Sequence, residues 1–291
     1  MRTILSNLRH GLRVLAKSPG YTAVAVIILA LGIGASTAIF SILYAAAIRP
    51  LPYADSDQLV VLWRTNPLSR MLPPSGPDFL DWVKQSNAFS TLAAAKQYDL
   101  TLTDAGENER LHGYRVTPDF FQVLNVHPEK GRLYASGDDQ PGRDHVIVLG
   151  TGFQARGHDR QPTALGGTVT LDSEEFEVIG SVPASFRFPA MMPWVDTDPD
   201  FYVPFPIERL DKDRQDASLW VIGRLKPGVT VPQAQAQMTT IASRLAQQYP
   251  ESNAGIGIRI VSLRYQVSSS ATAIVTPLLF GGGLLVAHRL R

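Results

Sequence analysis

Histidines are the first residues to examine for metal or proton chemistry, and the middle of this 291-residue chain holds four: His112, His127, His145 and His158. They stand 13 to 18 residues apart, whereas two ligands on one face of a helix need a spacing of three or four. They read as surface or packing residues. The adjacent acids Asp138 with Asp139 and Glu174 with Glu175 point in different directions on any regular element. They are expected in solvated turns, with a cation site as the alternative. No cysteine is present, which removes disulfides, zinc-thiolate sites, iron–sulfur clusters and thiol nucleophiles. GxSxG, HExxH, SxxK and the phosphate-cradling GxxxxGK are all missing. The expectation is therefore no catalytic, cofactor-binding or metal-ligating residue, and no ATPase activity in the chain itself. Phe120 with Phe121, Trp194 with Phe201 and Tyr202, and Phe186 with Phe188 are read as core or as a partner-docking surface.

Charged residues make up 18% of the chain and the mean hydropathy is zero, a composition that points toward a membrane. From Ser18 to Ile48 there is no charge over 31 positions, more than the roughly 20 residues a helix needs to span. Residues 18–48 are expected to form a first transmembrane helix with an extension. In its middle Gly32, Gly34, Ala35 and Ser36 offer a narrow face for close packing of another helix, or simply ordinary glycine usage in a membrane helix. Arg2, Arg9, Arg13 and Lys17 precede the run without an acid, which by the positive-inside rule puts the N-terminus in the cytoplasm. Residues 1–17 read as an amphipathic helix on the inner leaflet, with Ile4, Leu5, Leu8, Leu12 and Leu15 on one side. That helix would touch a cytoplasmic partner or lipid headgroups. A cleaved signal peptide, using Ala45 to Ala47, is the competing reading. A second uncharged run follows Arg264, and residues 267–288 are a candidate second span weakened by Pro277 and Gly281 to Gly283. Residues 50–288 hold all 26 acids but 20 of the 27 Lys and Arg, a net charge of −6. That argues against nucleic acid as a partner.

Between the spans the patterning gives an α+β domain. Strands are expected at Leu59–Arg64, Thr91–Tyr98 and His145–Leu149. Two hairpins are expected, Asp99–Thr103 with Arg110–Val116 and Thr168–Leu171 with Phe176–Val182 around Asp172 and Ser173. Helices are expected at Pro77–Gln85, Thr117–Leu124 and Val231–Tyr249. The last has Thr230 as N-cap, Gln233 three residues on and Pro250 as terminator. It lies between strands Leu219–Leu225 and Ile256–Leu263, which with Leu59–Arg64 would make a membrane-proximal lobe. About 90–210 would be an inserted β-rich lobe closed by a Pro-rich stretch.

The stretch Leu8 to Tyr53, LRHGLRVLAKSPGYTAVAVIILALGIGASTAIFSILYAAAIRPLPY, resembles the start of MacB-like ABC transporter permeases, in particular the orphan-permease branch common in acidobacteria. PDFLDW (Pro77–Trp82), VTPDFF (Val116–Phe121), Gly131 with Arg132, VIGSVPASFRF (Val178–Phe188), RLKPGVT (Arg224–Thr230) and QYPESN (Gln248–Asn253) resemble, in that order, landmarks of the family's periplasmic core domain. The resemblance implies an inner-membrane permease subunit with residues 50–266 as a periplasmic core domain. It also implies a possible homodimer and a separate cytoplasmic ATPase that binds the ATP. Transmembrane transport, as efflux, would proceed by periplasmic movement. The family continues into a cytoplasmic loop and two further spans, so a chain ending at Arg291 is expected to be a truncated or split permease without enzymatic activity. The second reading is a stand-alone, membrane-anchored scaffold that binds a periplasmic partner protein or a ligand; an envelope hydrolase has no candidate nucleophile or base.

Overall fold

The structure, a computed structural model, describes residues 19–43, 51–104, 107–155, 165–189, 198–210 and 213–269. The chain divides into two units, Met1–Arg49 with Ala271–Arg291, and Pro50–Ser270. The first unit contributes α1 (Pro19–Leu43), 25 residues without a charge. Tyr21, Val24, Ile27, Leu29, Leu31 and Ile33 are all exposed on it, so its apolar side chains point in every direction around the axis. Its side chains are described as far as Thr37 with a gap at position 35, and among the described residues no helix is long and apolar enough to cross a membrane.

The second unit is a ten-stranded sheet in the order β10-β1-β9-β2-β3-β8-β5-β7-β4, with β6 joining β7 to β2. The strands are β1 (Leu59–Thr65), β2 (Phe89–Asp104), β3 (Glu107–Val116), β4 (Lys130–Gly131), β5 (Val146–Leu149), β6 (Thr168–Leu171), β7 (Glu174–Ser181), β8 (Phe201–Pro204), β9 (Trp220–Leu225) and β10 (Gly257–Ser262). The helices of this unit are α2 (Gly76–Gln85), α3 (Phe120–Val123), α4 (Thr151–Ala155), α5 (Ile207–Leu210), α6 (Val231–Gln248) and α7 (Pro250–Asn253), and residues 263–269 are also helical.

Alternation along β1 splits its side chains between two layers, because successive Cβ atoms point to opposite faces. Val60 and Leu62 join Phe79 and Trp82 of α2 and Met238, Ile241 and Leu245 of α6 in one core. Leu59, Val61 and Trp63 face a second core with Tyr114, Phe120 and Tyr202. β1 is thus covered on both sides, which is why it reads as a continuous hydrophobic run.

β2 is the organising strand. Phe89 to Ala95 pair with β9 and Ala95 to Asp104 pair with β3, so Ala95 has a partner on each side. The expected strand Thr91–Tyr98 and hairpin arm Asp99–Thr103 are in fact this single 16-residue strand. From β2 the order runs through β3, β8, β5, β7 and β6, and Leu102 opposite Leu171 returns it to β2. Six strands therefore close into a small barrel, which removes open edges there. Leu100, Leu111, Ile147, Leu171, Phe176 and Phe201 fill it.

The hairpin at Asp172 and Ser173 is present, with φ of 48° and 69°, the left-handed pair that a two-residue type I′ turn demands. The helix expected over 117–124 is one turn, because Thr117 stays in the sheet: its N–H donates to the Ala94 carbonyl at 2.9 Å. β8 was not expected at all, since Pro204 and Pro206 argue against an interior strand. Pro204 sits at its last position, where the missing donor does least harm. Residues 151–155 are helical and 156–164 lie outside the described residues.

β3 and β8 run parallel, with Gly113 opposite Phe201. A Cβ at Gly113 would sit 2.6 Å from both the Phe201 ring and its carbonyl oxygen. Gly113→Ala is expected to push these strands apart and cost about 1–3 kcal/mol, a fall in Tm of roughly 3–10 °C for a domain of this size, read by circular dichroism on heating.

Candidate functional site

Asp78 lies in the first turn of α2, where Ser75 is the N-cap and its Oγ accepts the Asp78 N–H at 3.3 Å. Its carboxylate is fully buried. Oδ1 accepts from Arg214 Nη1 at 3.0 Å and from Asn253 Nδ2 at 2.9 Å, while Oδ2 faces Arg64 Nε at 3.2 Å. Arg64, on β1, is itself 7% exposed and reaches the Ser252 carbonyl at 3.3 Å. Arg214 also donates to Asp81 at 2.6 Å, and its guanidinium covers the Tyr249 ring at 3.7 Å, a cation–π contact. Burial works against the Arg214 charge, but the hydrogen bond and field of Asp81, with the charge of Asp78, outweigh it and hold the guanidinium above its usual range. Two Arg and two Asp balance, so four separate segments meet around a neutral group of charges. A substrate would need open space and an unspent polar group there; the arrangement instead spends its charges on one another.

A second cluster is aromatic. Tyr114 stacks on Phe188 with ring centroids 3.9 Å apart, Phe120 lies 5.4 Å from Phe188, and Trp220 lies 5.4 Å from Tyr114. Phe121 and Phe186 extend it to Tyr53, whose hydroxyl donates to the Arg187 carbonyl at 2.6 Å. Burial pushes the Tyr53 phenol well up, so it stays a donor. Nearby, Arg224 donates to the carbonyls of Val123, Ala54 and Asp55 at 3.0, 3.0 and 3.3 Å. The segment before β1 is therefore fastened to β9, and Arg224 ties both to the end of α3.

These clusters gather the sequence landmarks. PDFLDW supplies Asp78 and Asp81, QYPESN supplies Tyr249 and Asn253, VTPDFF and SFRF supply the stacked rings, and RLKPGVT supplies Arg224 and the N-cap of α6. Gly131 has φ of 66° and Arg132 forms an ion pair with Asp138 at 2.6 Å. Sequence reasoning missed the charge cluster: Asp78 and Asp81 are visible at a helical spacing, but nothing near Arg214 marks it as their partner.

The expected site residues are placed as follows. Gly32, Gly34 and Ser36 lie on α1, with nothing within 4 Å of a Cβ built on either glycine and Ser36 exposed. Ala35 is within the same helix. Arg2, Arg9, Arg13 and Lys17 lie outside the described residues, as do His158, Trp194 and nearly all of the candidate second span. His112, His127 and His145 are exposed. His112 pairs with Asp99 at 3.2 Å and His145 with Asp144 at 3.2 Å. Among the described residues no group of three potential metal ligands exists. Phe120, Phe121, Phe186, Phe188, Phe201 and Tyr202 are all buried, which assigns them to the core.

Removing Asp78 leaves two buried guanidinium groups short of a counter-charge. Asp78→Ala is expected to cost about 3–5 kcal/mol, whereas Asp216→Ala, which breaks the half-exposed Lys96 pair at 2.9 Å, is expected to cost under about 1 kcal/mol. Denaturant unfolding of the two variants checks the contrast.

No curated protein matches the chain by sequence. Among solved structures it is similar to a permease domain from Porphyromonas gingivalis, with a TM-score of 0.53 and 12% identity over 73% of this chain and 92% of that one. It is also similar to the periplasmic region of MacB from Actinobacillus actinomycetemcomitans, with a TM-score of 0.51 and 15% identity over 72% of this chain and 91% of that one. At those identities the likeness is one of fold. The sequence profile of the MacB-like periplasmic core domain matches residues 22–241, three quarters of the chain, and on that match the chain belongs to the MacB-like periplasmic core domain family of ABC transporter permeases.

Proposed function

We propose that this chain is a non-catalytic permease subunit of a MacB-like ABC export system, anchored in the inner membrane through the uncharged run Ser18 to Ile48 with its N-terminus in the cytoplasm. Residues 50–266 stand outside the cytoplasm as the core domain, and residues 267–288 return to the membrane. A separate cytoplasmic ATPase supplies the energy, contacted through residues 1–17. The observation that carries this reading is the family match, which begins inside α1 and extends over most of the folded domain to residue 241, within α6.

Physical arguments support each part. The uncharged run from Ser18 to Ile48, of which α1 is the described helix, covers 31 positions, more than the roughly 20 residues that a span needs. Its apolar side chains face outward on all sides, as suits lipid rather than water. Basic residues cluster before it and acids begin only at Asp55, the asymmetry that fixes orientation. Tyr53 and Arg224 fasten residues 53–55, the start of the domain, to its core. A movement of that segment would therefore pull on the aromatic cluster directly, which suits a domain that responds to ATP binding on the far side of the membrane.

Because the chain has no cysteine, single cysteines report topology without background. Leu68→Cys, at a position 96% exposed, is expected to react with a membrane-impermeant maleimide in intact spheroplasts, and Arg9→Cys only after permeabilisation. The reverse pattern would remove the orientation argued here. A photo-crosslinker at position 9 is expected to capture a nucleotide-binding subunit in membranes of the native host, and its failure to do so would count against the coupled ATPase.

A further inference from the structure

β10 ends the strand order, and among the described residues its one strand partner is β1. A strand in that position presents backbone N–H and C=O groups to whatever can pair with them, and such edges are where sheets join each other. Here a side chain takes the place of the missing strand. Gln235, on α6, donates from Nε2 to the Ile258 carbonyl at 2.8 Å and accepts the Ile260 N–H on Oε1 at 2.8 Å. A carboxamide carries one donor group and one acceptor, as a peptide unit does, so it completes two bonds of the ladder at the edge. Thr239, one turn further along α6, steadies it: Gln235 Nε2 lies 3.3 Å from Thr239 Oγ1, which donates to the Gln235 carbonyl at 2.8 Å.

The pattern also shows which groups face outward. In an antiparallel strand the N–H and C=O of one residue point the same way and alternate along the chain. With Ile258 and Ile260 turned to Gln235, Arg259 and Val261 are the residues bonded to β1, where they stand opposite Trp63 and Val61. A second copy pairing edge to edge would set Ile258 against Ile260 of the copy and Arg259 against Arg259. Two of the four backbone bonds in that arrangement need the Ile258 carbonyl and the Ile260 N–H, both already held by Gln235. The arrangement would also bring two arginines face to face, and like charges directly opposite are unfavourable.

We infer that Gln235 is an edge guard: its carboxamide closes the β10 edge to strand addition by a second copy of this chain, with the Arg259 charge as the supporting barrier. The inference is independent of the proposed transport role.

The test uses the full-length protein in membranes and in detergent. Gln235→Met keeps the side-chain length and a good helix former while removing both hydrogen bonds. Hydrogen exchange at the Ile260 amide is expected to accelerate at least tenfold in the variant, with Arg259 and Val261, bonded to β1, unchanged. Residue 259 opposite its own copy is a non-hydrogen-bonded pair, with Cα atoms about 4.5 Å apart, within reach of a disulfide. Arg259→Cys combined with Gln235→Met is therefore expected to give at least five times the crosslinked dimer of Arg259→Cys alone under mild oxidant. Gln235→Ala, a better helix former still, repeats both measurements should the Met variant be poorly folded. Unchanged exchange at Ile260, or equal crosslinking with and without the Gln235 substitution, overturns the inference.

Discussion

The fold depends on one strand having two sets of partners. β2 pairs with β9 through its first half and with β3 through its second, and Ala95 stands opposite a partner on each side. A strand of that length spans about 54 Å, and its backbone ladder makes it stiff. The antiparallel layer under α2 and α6 and the closed barrel beyond therefore share a rigid element rather than a linker. Small side chains at Ala93, Ala94 and Ala95, all fully buried, let the two sides approach closely at the crossing. Larger residues there would hold the aromatic rings of the central core away from β1 and β9.

Around that strand, the polar residues of the landmark motifs hold joints. Asp78 joins β1, α2, the segment at Arg214 and α7 in one buried neutral group. Arg224 and Tyr53 fix the approach to β1. Gln237 of α6 accepts from Ser86 Oγ and from the N–H groups of Asn87 and Ala88, closing the passage from α2 into β2. Hydrophobic burial alone would tolerate sliding between layers. Directional bonds at buried places fix one arrangement, because leaving any member unpaired costs its full desolvation. Among the described residues no group of three potential metal ligands accompanies these joints.

Much of the local structure was legible in the sequence. The I′ turn at Asp172 and Ser173, the short apolar runs of β1 and β9 and the apolar face of α6 follow from short-range patterns, and Thr230 with Gln233 does form the reciprocal capping box. Breaks were harder. β2 looked like two strands because its side-chain faces serve different cores along its length, and β8 was hidden by its prolines. The candidate site was not legible, since Arg214 lies about 130 residues from Asp81 in the chain and their 2.6 Å contact exists only after the sheet has assembled.

The sequence by itself determined the uncharged stretch of α1, the charge asymmetry around it, the absence of thiol chemistry and the local elements that turn signals and periodicity define. Those features depend on neighbours a few residues away, where torsional preference and side-chain spacing decide the outcome. Tertiary structure alone decided that six strands close through Leu102 and Leu171, that Asp78 meets two arginines, and that Gln235 stands in for a strand beside β10. Each is a contact between residues distant in sequence, selected by the shared geometry of the sheet and by the need to pair every buried polar group, and neither condition is written in a local pattern.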